Sequence, residues 1–371
     1  MKHIIKAPLI ILFTAALAFS TTSCNKNSNT NISDTKFLLN TTCSISIYDK
    51  QDKTILEQAF QVISHYDQIF STTIKGSDVY NINRSGGNPV NVDNATIDVI
   101  KESIGYSKES DGLFDITVGA LTTLWNIEGD NPKVPAEDKI QTAIKTINYK
   151  DILIEGNTVT LKNKDTMIDL GGVAKGYIAD QIKDFLVSKG VQKAIINLGG
   201  NVVVIGSKAK NSPWVVGVQQ PFMGKNEDVG YLYVSDKSVV TSGIYERYFM
   251  QDGKLYPHIL DPRTGYPVDN NLSSVTIISN QSKEGDGLSA TCFLLGVDKA
   301  EKLIESLKDV EAIFITKDGK VITTPGINKK VKFVPSAQVS STDSTASTAI
   351  LHVSGLWQYA QRNEHPCIKI T

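Results

Sequence analysis

Residues 173–205, VAKGYIADQIKDFLVSKGVQKAIINLGGNVVVI, decide the fold. From Val173 to Lys189 the pattern predicts a helix, and Gly190 suits the left-handed position that closes one. Two short apolar runs follow at 193–198 and 201–205, the length of strands and too close together for a crossover between them. Further strands are predicted at 214–219, 230–235, 245–250 and 273–279, with helices at 287–295 and 298–307. A last hairpin runs over 311–323 and turns at Lys317-Asp318-Gly319-Lys320. Upstream, residues 37–48 alternate apolar and polar as one strand, through Phe37, Leu39, Cys43, Ile45 and Ile47. Residues 53–70 carry a helical stripe of Leu56, Ala59, Phe60, Ile63, Tyr66 and Phe70. Asn94 is positioned to cap a helix bearing Ile97, Ile100 and Ile104, and Pro135 opens another with Ile140, Ile144 and Ile147. Strands at 151–154 and 158–161 meet across Glu155-Gly156-Asn157. Strand pairs joined by short turns, interleaved with helices, specify an α+β class: largely antiparallel sheets flanked by helices, in a single large domain. No repeat of solenoid period is present.

Composition narrows the function. Apolar residues make up 41% and charged residues 21% of the 371, which is globular composition. Lys and Arg number 38 against 39 Asp and Glu, so the basic excess that a nucleic-acid binder uses on phosphates is missing, and no nucleic-acid partner is expected. The five histidines are scattered and the four cysteines form no CxxC pair, which argues against structural zinc and thioredoxin-like chemistry.

The N-terminus reads as an address. Lys2 and Lys6 precede an apolar run from Ala7 to Phe19, shorter than the ~20 residues of a membrane span. Small residues lead to Cys24, which resembles a bacterial lipoprotein signal with Cys24 as the lipidated residue; ordinary secretion with cleavage near Ser23 is the alternative. Either places the mature protein outside the cytoplasm, and the lipidated form places it on the cell membrane. The expected organisation is a signal peptide over 1–23, a flexible tether over 24–36, one domain over 37–326, and a Ser/Thr-rich linker with a C-terminal tail over 327–371.

Three segments are rich in glycine and polar groups. In Ile168-Asp169-Leu170-Gly171-Gly172-Val173-Ala174-Lys175-Gly176 a strand end turns into a helix with a lysine in its first turn. That arrangement seats a phosphate or pyrophosphate, or is a tight turn with a solvated lysine; it is neither a Walker loop nor GxGxxG. Thr241-Ser242-Gly243 and Tyr256-Pro257-His258-Ile259-Leu260-Asp261-Pro262-Arg263-Thr264-Gly265 make the second, a rigid loop holding a histidine. His258 is a base or a structural histidine there, and Ser242 reads as a turn residue without the GxSxG elbow of a hydrolase. In the third, Gly285-Asp286-Gly287-Leu288-Ser289-Ala290-Thr291, Asp286 is a helix cap or a ligand for a hard cation such as Mg²⁺, and Cys292 reads as core.

These segments, in this order, with Phe70-Ser71-Thr72-Thr73 and Ser110-Asp111-Gly112-Leu113-Phe114-Asp115-Ile116-Thr117-Val118-Gly119, closely resemble the ApbE family, the FAD:protein FMN transferases once named thiamine-biosynthesis lipoproteins. The resemblance runs from about Phe37 to Pro325. It implies an ApbE-like fold and a Mg²⁺-dependent enzyme that splits FAD, attaches FMN through a phosphoester to a Thr or Ser of an extracytoplasmic redox protein, and releases AMP. Carried over by position, FAD contacts fall on Leu39, Thr73, Leu113, Phe114, Asp115, Asp169, Lys175 and Leu260. The metal falls to the Gly172 carbonyl, Asp286 and the position of Ala290, with Thr291 as a ligand in its place through a small shift, or water, and His258 is similar to the family's catalytic histidine. The chain departs from the family pattern at Ala290, where threonine is usual and Thr291 comes next, at Thr73, where an aromatic residue is common, and at Asn40. The alternatives are a FAD pyrophosphatase yielding FMN and AMP, a non-catalytic flavin-binding lipoprotein, and, at greater distance, a secreted serine hydrolase.

Overall fold

The structure is a computed structural model and describes residues 31–223, 227–336 and 350–352. The signal segment, Cys24 and residues 337–349 and 353–371 lie outside the described residues. The chain opens with β1 (Ile32–Leu38), β2 (Thr41–Ile47), α1 (Lys53–Phe70), α2 (Asp78–Ile82), β3 (Val90–Asn91) and α3 (Asn94–Glu109). It continues through α4 (Gly119–Trp125), α5 (Glu137–Ile144), β4 (Ile152–Glu155), β5 (Thr158–Leu161), α6 (Ala174–Ser188), β6 (Ala194–Leu198) and β7 (Asn201–Ile205). Next come β8 (Trp214–Gln219), β9 (Asp228–Val234), β10 (Ser238–Gly243), β11 (Tyr248–Gln251), β12 (Lys254–Pro257) and β13 (Leu272–Ser279). The last elements are α7 (Ser282–Leu295), α8 (Val297–Ser306), β14 (Glu311–Thr316), β15 (Val321–Thr323), β16 (Lys332–Pro335) and β17 (Ile350–His352). Among the described residues no helix is long and apolar enough to cross a membrane.

An eight-stranded sheet of order β1-β2-β6-β7-β10-β13-β14-β15 forms the central layer, every neighbouring pair antiparallel. Its strands explain the uninterrupted apolar runs, because side chains alternate between faces and both faces are covered. In β7, Val203 and Ile205 point to the helical layer, while Val202 and Val204 point to the opposite core. The helical layer contains α1, α3, α6, α7 and α8; Phe60, Ile63, Ile100, Ile182 and Phe293 pack there on Ile45, Ile196, Val275 and Phe314. Across the sheet lies a smaller one of order β16-β9-β8-β17, in which Trp214, Val216, Leu232 and Phe333 close the second core. The α+β, mainly antiparallel architecture is therefore the one the sequence predicts.

Several boundaries differ for local reasons. The single strand expected over 37–48 is a hairpin: Leu38 pairs with Thr41, and the turn residues Leu39 and Asn40 both have φ +54°, the mirror-image turn that matches strand twist. Strand β1 begins at Ile32, so residues 32–36 of the expected tether belong to the sheet. At the other end β16 pairs with β9 and β17 with β8, so parts of the expected 327–371 linker and tail belong to the smaller sheet. The cap of α3 is Asp93, whose side chain accepts from Ala95 N at 2.8 Å, rather than Asn94. Ser242 is not in a turn but within β10, paired with Val275. Helix α7 starts at Ser282, one turn before the expected 287, and this moves Asp286 off the helix end.

The glycines of the third segment are a packing requirement. A Cβ on Gly285 would lie 2.8 Å from Val240, one on Gly287 would lie 2.1 Å from the Tyr106 ring, and one on Gly176 would lie 2.4 Å from the Ser282 carbonyl and 2.7 Å from the Asp286 Cβ. Helix α7 is thereby wedged between β10, α3 and α6, at a cost of about 0.5–1 kcal/mol for each glycine in a helix interior. Cys292, read as core, is buried there, as is Cys43 in β2; burial pushes both thiols up to about 12. Gly176→Ala is expected to lower stability by about 1–3 kcal/mol by overpacking the α6–α7 crossing. A shifted urea midpoint at unchanged slope would report it, and an unchanged midpoint would refute the crossing as drawn.

Candidate active site

The site is built where α6 and α7 cross. Neither helix is capped by its own N-cap residue: Val173 and Gln281 make no side-chain cap bond. Each helix borrows a carboxylate from the other. Asp286 Oδ2 on α7 accepts from Gly176 N in the first turn of α6 at 2.8 Å. Asp180 on α6 accepts from the Ser282 and Lys283 amides of α7 at 2.8 and 2.9 Å. Burial pushes the pKa of both carboxyls up, opposed by Lys175 at Asp286 and by the two amides at Asp180. Lys175 Nζ donates to the Gly171 carbonyl at 3.2 Å and stands 3.7 Å from Asp286 Oδ1.

The segment before α6, expected as a strand end, is irregular with one isolated bridge between Met167 and Val118, and it is pinned on both sides. Asn83 brackets Ile168, accepting from its amide at 2.7 Å and donating to its carbonyl at 2.8 Å. Asp169 accepts from Gly171 N at 2.8 Å and from the Thr122 hydroxyl at 2.9 Å, which sets the turn leading to Gly172. A Cβ on Gly172 would meet the Phe114 ring at 3.3 Å and the Ala290 Cβ at 4.0 Å, so these three expected site positions share one wall. Asp286 and Ala290 are one helical turn apart on α7, on the same face. Thr291 is not on that face: it is fully buried, and its hydroxyl donates to the Gly287 carbonyl at 2.7 Å, so it does not replace the missing threonine. The neighbouring Ser289 donates to the Asp286 carbonyl at 2.9 Å and meets the Ser242 hydroxyl at 2.8 Å. Ser242 is thus engaged with Ser289, and a serine–histidine pair is not assembled.

His258 follows β12 and is half-buried. Its amide donates to the Arg247 carbonyl at 3.0 Å, and its Nδ1 lies 3.2 Å from the same oxygen. A carbonyl only accepts, so Nδ1 carries the proton and Nε2 keeps its lone pair. Burial, followed by the charge of Arg247 and then Lys175, lowers the His258 pKa to about 3, with the carbonyl opposing. The same two cations oppose the burial that raises the Asp286 pKa, so His258 and Asp286, 28 residues apart in sequence, share an electrostatic setting. The Arg247 guanidinium is itself paired with Glu128.

A separate apolar cluster of Leu121, Trp125, Ile140, Phe249 and Leu260 supports this loop, and Trp125 Nε1 donates to the Gly265 carbonyl at 2.7 Å. Burial favours the neutral acid of Asp261, but the Arg263 hydrogen bonds at 3.0 and 2.7 Å prevail and its pKa is lowered.

The expected flavin-side residues divide. Phe114, Asp169, Gly172, Lys175, Asp286 and Ala290 are joined by direct contacts around the α6 start, and His258 is linked to them through the charges of Lys175 and Arg247. Leu113 and Asp115 are buried beside Phe114, and the Asp115 carboxylate is used up by the fold, accepting from Thr117 N, Thr117 Oγ1 and Tyr149 N at 2.8, 2.7 and 2.8 Å. Leu260 is core beneath the loop, Leu39 holds the hairpin turn, and Thr73 is exposed and bonded to Ser71 in its own turn. Arg247, Glu128, Asp180 and Asn83 were not anticipated: each acts on residues distant in sequence, so no local motif marks it.

The donors suit a magnesium ion. Asp286 is a buried carboxylate with one oxygen on an amide and the other 3.7 Å from the Lys175 ammonium, which itself donates to the Gly171 carbonyl. One carboxylate with carbonyls, the remaining positions filled by water and phosphate oxygens, is how Mg²⁺ is commonly held. No cluster of three or more His, Cys, Asp or Glu that would hold a metal by itself exists among the described residues.

Comparison with known proteins agrees with this geometry. The model of the ApbE family matches residues 39–314. The FAD:protein FMN transferase of Klebsiella pneumoniae (strain 342) is 37% identical over 287 residues, spanning 76% of this chain and 88% of that protein. The FAD:protein FMN transferase of Treponema pallidum (strain Nichols) is 31% identical over 317 residues, spanning 80% and 88%. Among solved structures, the ApbE protein of Thermotoga maritima MSB8 superposes with a TM-score of 0.75 at 32% identity, over 81% of this chain and 99% of that one. The flavin transferase ApbE from Vibrio cholerae gives a TM-score of 0.73 at 25% identity over the same shares. With the family model matching most of the length and a relative 37% identical over most of both chains, this chain belongs to the ApbE family.

Proposed function

We propose that this chain is a Mg²⁺-dependent FAD:protein FMN transferase, held outside the cytoplasm by a lipid on Cys24, that acts on a redox protein presenting a Thr or Ser hydroxyl. The observation that carries the reading is the shared electrostatic setting of His258, Lys175 and Asp286, in a chain whose relatives bear that activity in their names.

In this reading the FAD pyrophosphate lies against Lys175 and the start of α6, where a lysine and the positive end of a helix favour anionic oxygens. Phe114 walls the same space beside Gly172 and Ala290. The acceptor hydroxyl oxygen attacks the phosphorus on the FMN side and gives its proton to His258 Nε2. The new O–P bond forms as the bond to the AMP phosphate breaks, and the electron pair departs on that oxygen. Arg247 holds the imidazole by its carbonyl, and Glu128 holds Arg247. Asp286 with the Gly172 carbonyl would hold Mg²⁺, which supplies charge neutralisation at the pyrophosphate. Lys175 then stands to stabilise the departing AMP.

The test mixes the mature chain with FAD, Mg²⁺ and an acceptor protein, reading the acceptor's intact mass and AMP release together. An FMN adduct that EDTA abolishes is expected, and Asp286→Ala is expected to lose it while still folding. Ala290→Thr is expected to tighten the Mg²⁺ dependence by adding an oxygen to the same helix face. AMP without an adduct would favour hydrolysis, and turnover unaffected by Asp286→Ala would remove the metal assignment.

His258 also predicts a pH dependence. Its folded pKa lies below the ordinary 6.5, so under acid the unfolded chain takes up a proton that the folded one refuses. Stability is therefore expected to fall as pH drops from 6.5 toward 3, and to be unaffected by this group above 6.5. Urea midpoints near pH 7 and near pH 4.5 should diverge less in His258→Gln than in the parent; equal divergence would show that the ring is not held neutral.

A further inference from the structure

The β11–β12 ribbon carries apolar side chains on both faces, with Gln251 and Lys254 at the end of the inner one. On its inner face Phe249 and Tyr256 stack at 5.1 Å and pack on Trp125. Residues directly opposite in an antiparallel pair share a face, and Tyr248 is opposite Pro257 while Met250 is opposite Leu255. The outer face thus presents Tyr248, Met250 and Leu255, with Met250 56% exposed. An outer ribbon face in water is ordinarily polar. The β8–β9 loop extends this surface: Phe222 lies 6.3 Å from the Tyr248 ring and 6.0 Å from Tyr245, with Phe222 and Met223 42% and 43% exposed. Phe222 is held at φ +61°, a conformation that is an outlier for a bulky side chain. Aromatic and methionine side chains are the composition of binding hot spots, methionine because it adapts its shape.

Position identifies the occupant. The ribbon ends at Pro257, and the next residue is His258, whose Nδ1 is taken by the Arg247 carbonyl and which is the base of the reading above. Four residues of strand are only ~13 Å long and two strands ~10 Å wide, far below the ~800 Å² per partner that a stable dimer buries. The one lysine on the ribbon, Lys254, lies over its own Tyr256 ring at 5.4 Å, so the basic fringe of a membrane-binding surface is missing from it.

We infer that the outer face of β11–β12 with Phe222 and Met223 is the docking surface for the acceptor polypeptide, which lays an extended segment with apolar side chains beside its hydroxyl residue along the ribbon and so delivers that hydroxyl to His258. This rests on the transferase reading above and adds the acceptor's recognition site to it. FAD is bound elsewhere, on the Lys175 side, so the two substrates are separable by mutation.

The test uses the whole chain carrying Phe222→Ser, Met250→Ser, both, or Met250→Leu, with the protein that the Klebsiella pneumoniae relative modifies as acceptor probe. Initial rates of adduct formation give kcat/KM for the acceptor, and flavin fluorescence gives the FAD dissociation constant. Each serine variant is expected to lose about tenfold in kcat/KM for the acceptor, mainly through KM, with FAD affinity within about twofold of the parent and Met250→Leu restored. Unchanged acceptor KM in the double variant would overturn the inference. So would a parallel loss of FAD affinity, which marks a structural defect, or a native dimer mass that the substitutions abolish, which gives the face to a second copy. A parent chain that forms no adduct at all would instead overturn the transferase reading, and the docking surface with it.

Discussion

Two carboxylates exchanged between two helices hold this site in place. Asp286 and Asp180 each leave their own helix to satisfy amides at the start of the other. Side-chain caps are worth about 1 kcal/mol apiece, but their larger effect here is geometric. The exchange fixes the crossing of α6 and α7 at both ends, and only glycine at 176 lets the backbones come that close. It also explains why a carboxylate survives in a dry place: the amides offset part of the burial that pushes its pKa up. Gly172, Lys175 and Ala290 inherit their positions from that crossing.

Around this frame the charges are set unevenly. Lys175 and Arg247 act on a buried carboxylate and a neutral imidazole, and Arg247 has an outer partner in Glu128. Burial, with the two cations behind it, holds the His258 imidazole neutral, so the ring is available to accept a proton.

Much of this was legible in the residues because the signals were local. The strands around Gly199-Gly200 and the helix ended by Gly190 follow from period and punctuation, and the motifs carried the family through their order. What failed was non-local or conformational. Leu39 adopts a left-handed turn that a leucine does not advertise, so the first hairpin read as one strand. Ser242 looked like turn chemistry beside Gly243 but is spent on Ser289 across to α7. Asp286 was read as a cap of its own helix or a ligand, and it caps a different helix. The helix was expected to begin at Gly287, but Gly285 and Gly287 lie inside it and are spaces for Val240 and Tyr106. Arg247 and Asp180 had no motif, since their partners are set by tertiary packing alone.

The cross-capping also has a consequence for the order in which the molecule is made. Asp180 precedes Ser282 by 102 residues, and Asp286 follows Gly176 by 110. A chain emerging from its N-terminus presents α6 with an unsatisfied first turn, and β7 with no neighbour on one side, until β10 and then α7 arrive. Contacts of such sequence separation form late, because loop closure must precede them. A truncated or half-emerged chain can own most of the sheet and still lack any arrangement that brings Lys175 to Asp286. Vectorial synthesis therefore leaves the Lys175–Asp286 pair unassembled until nearly the whole domain is present.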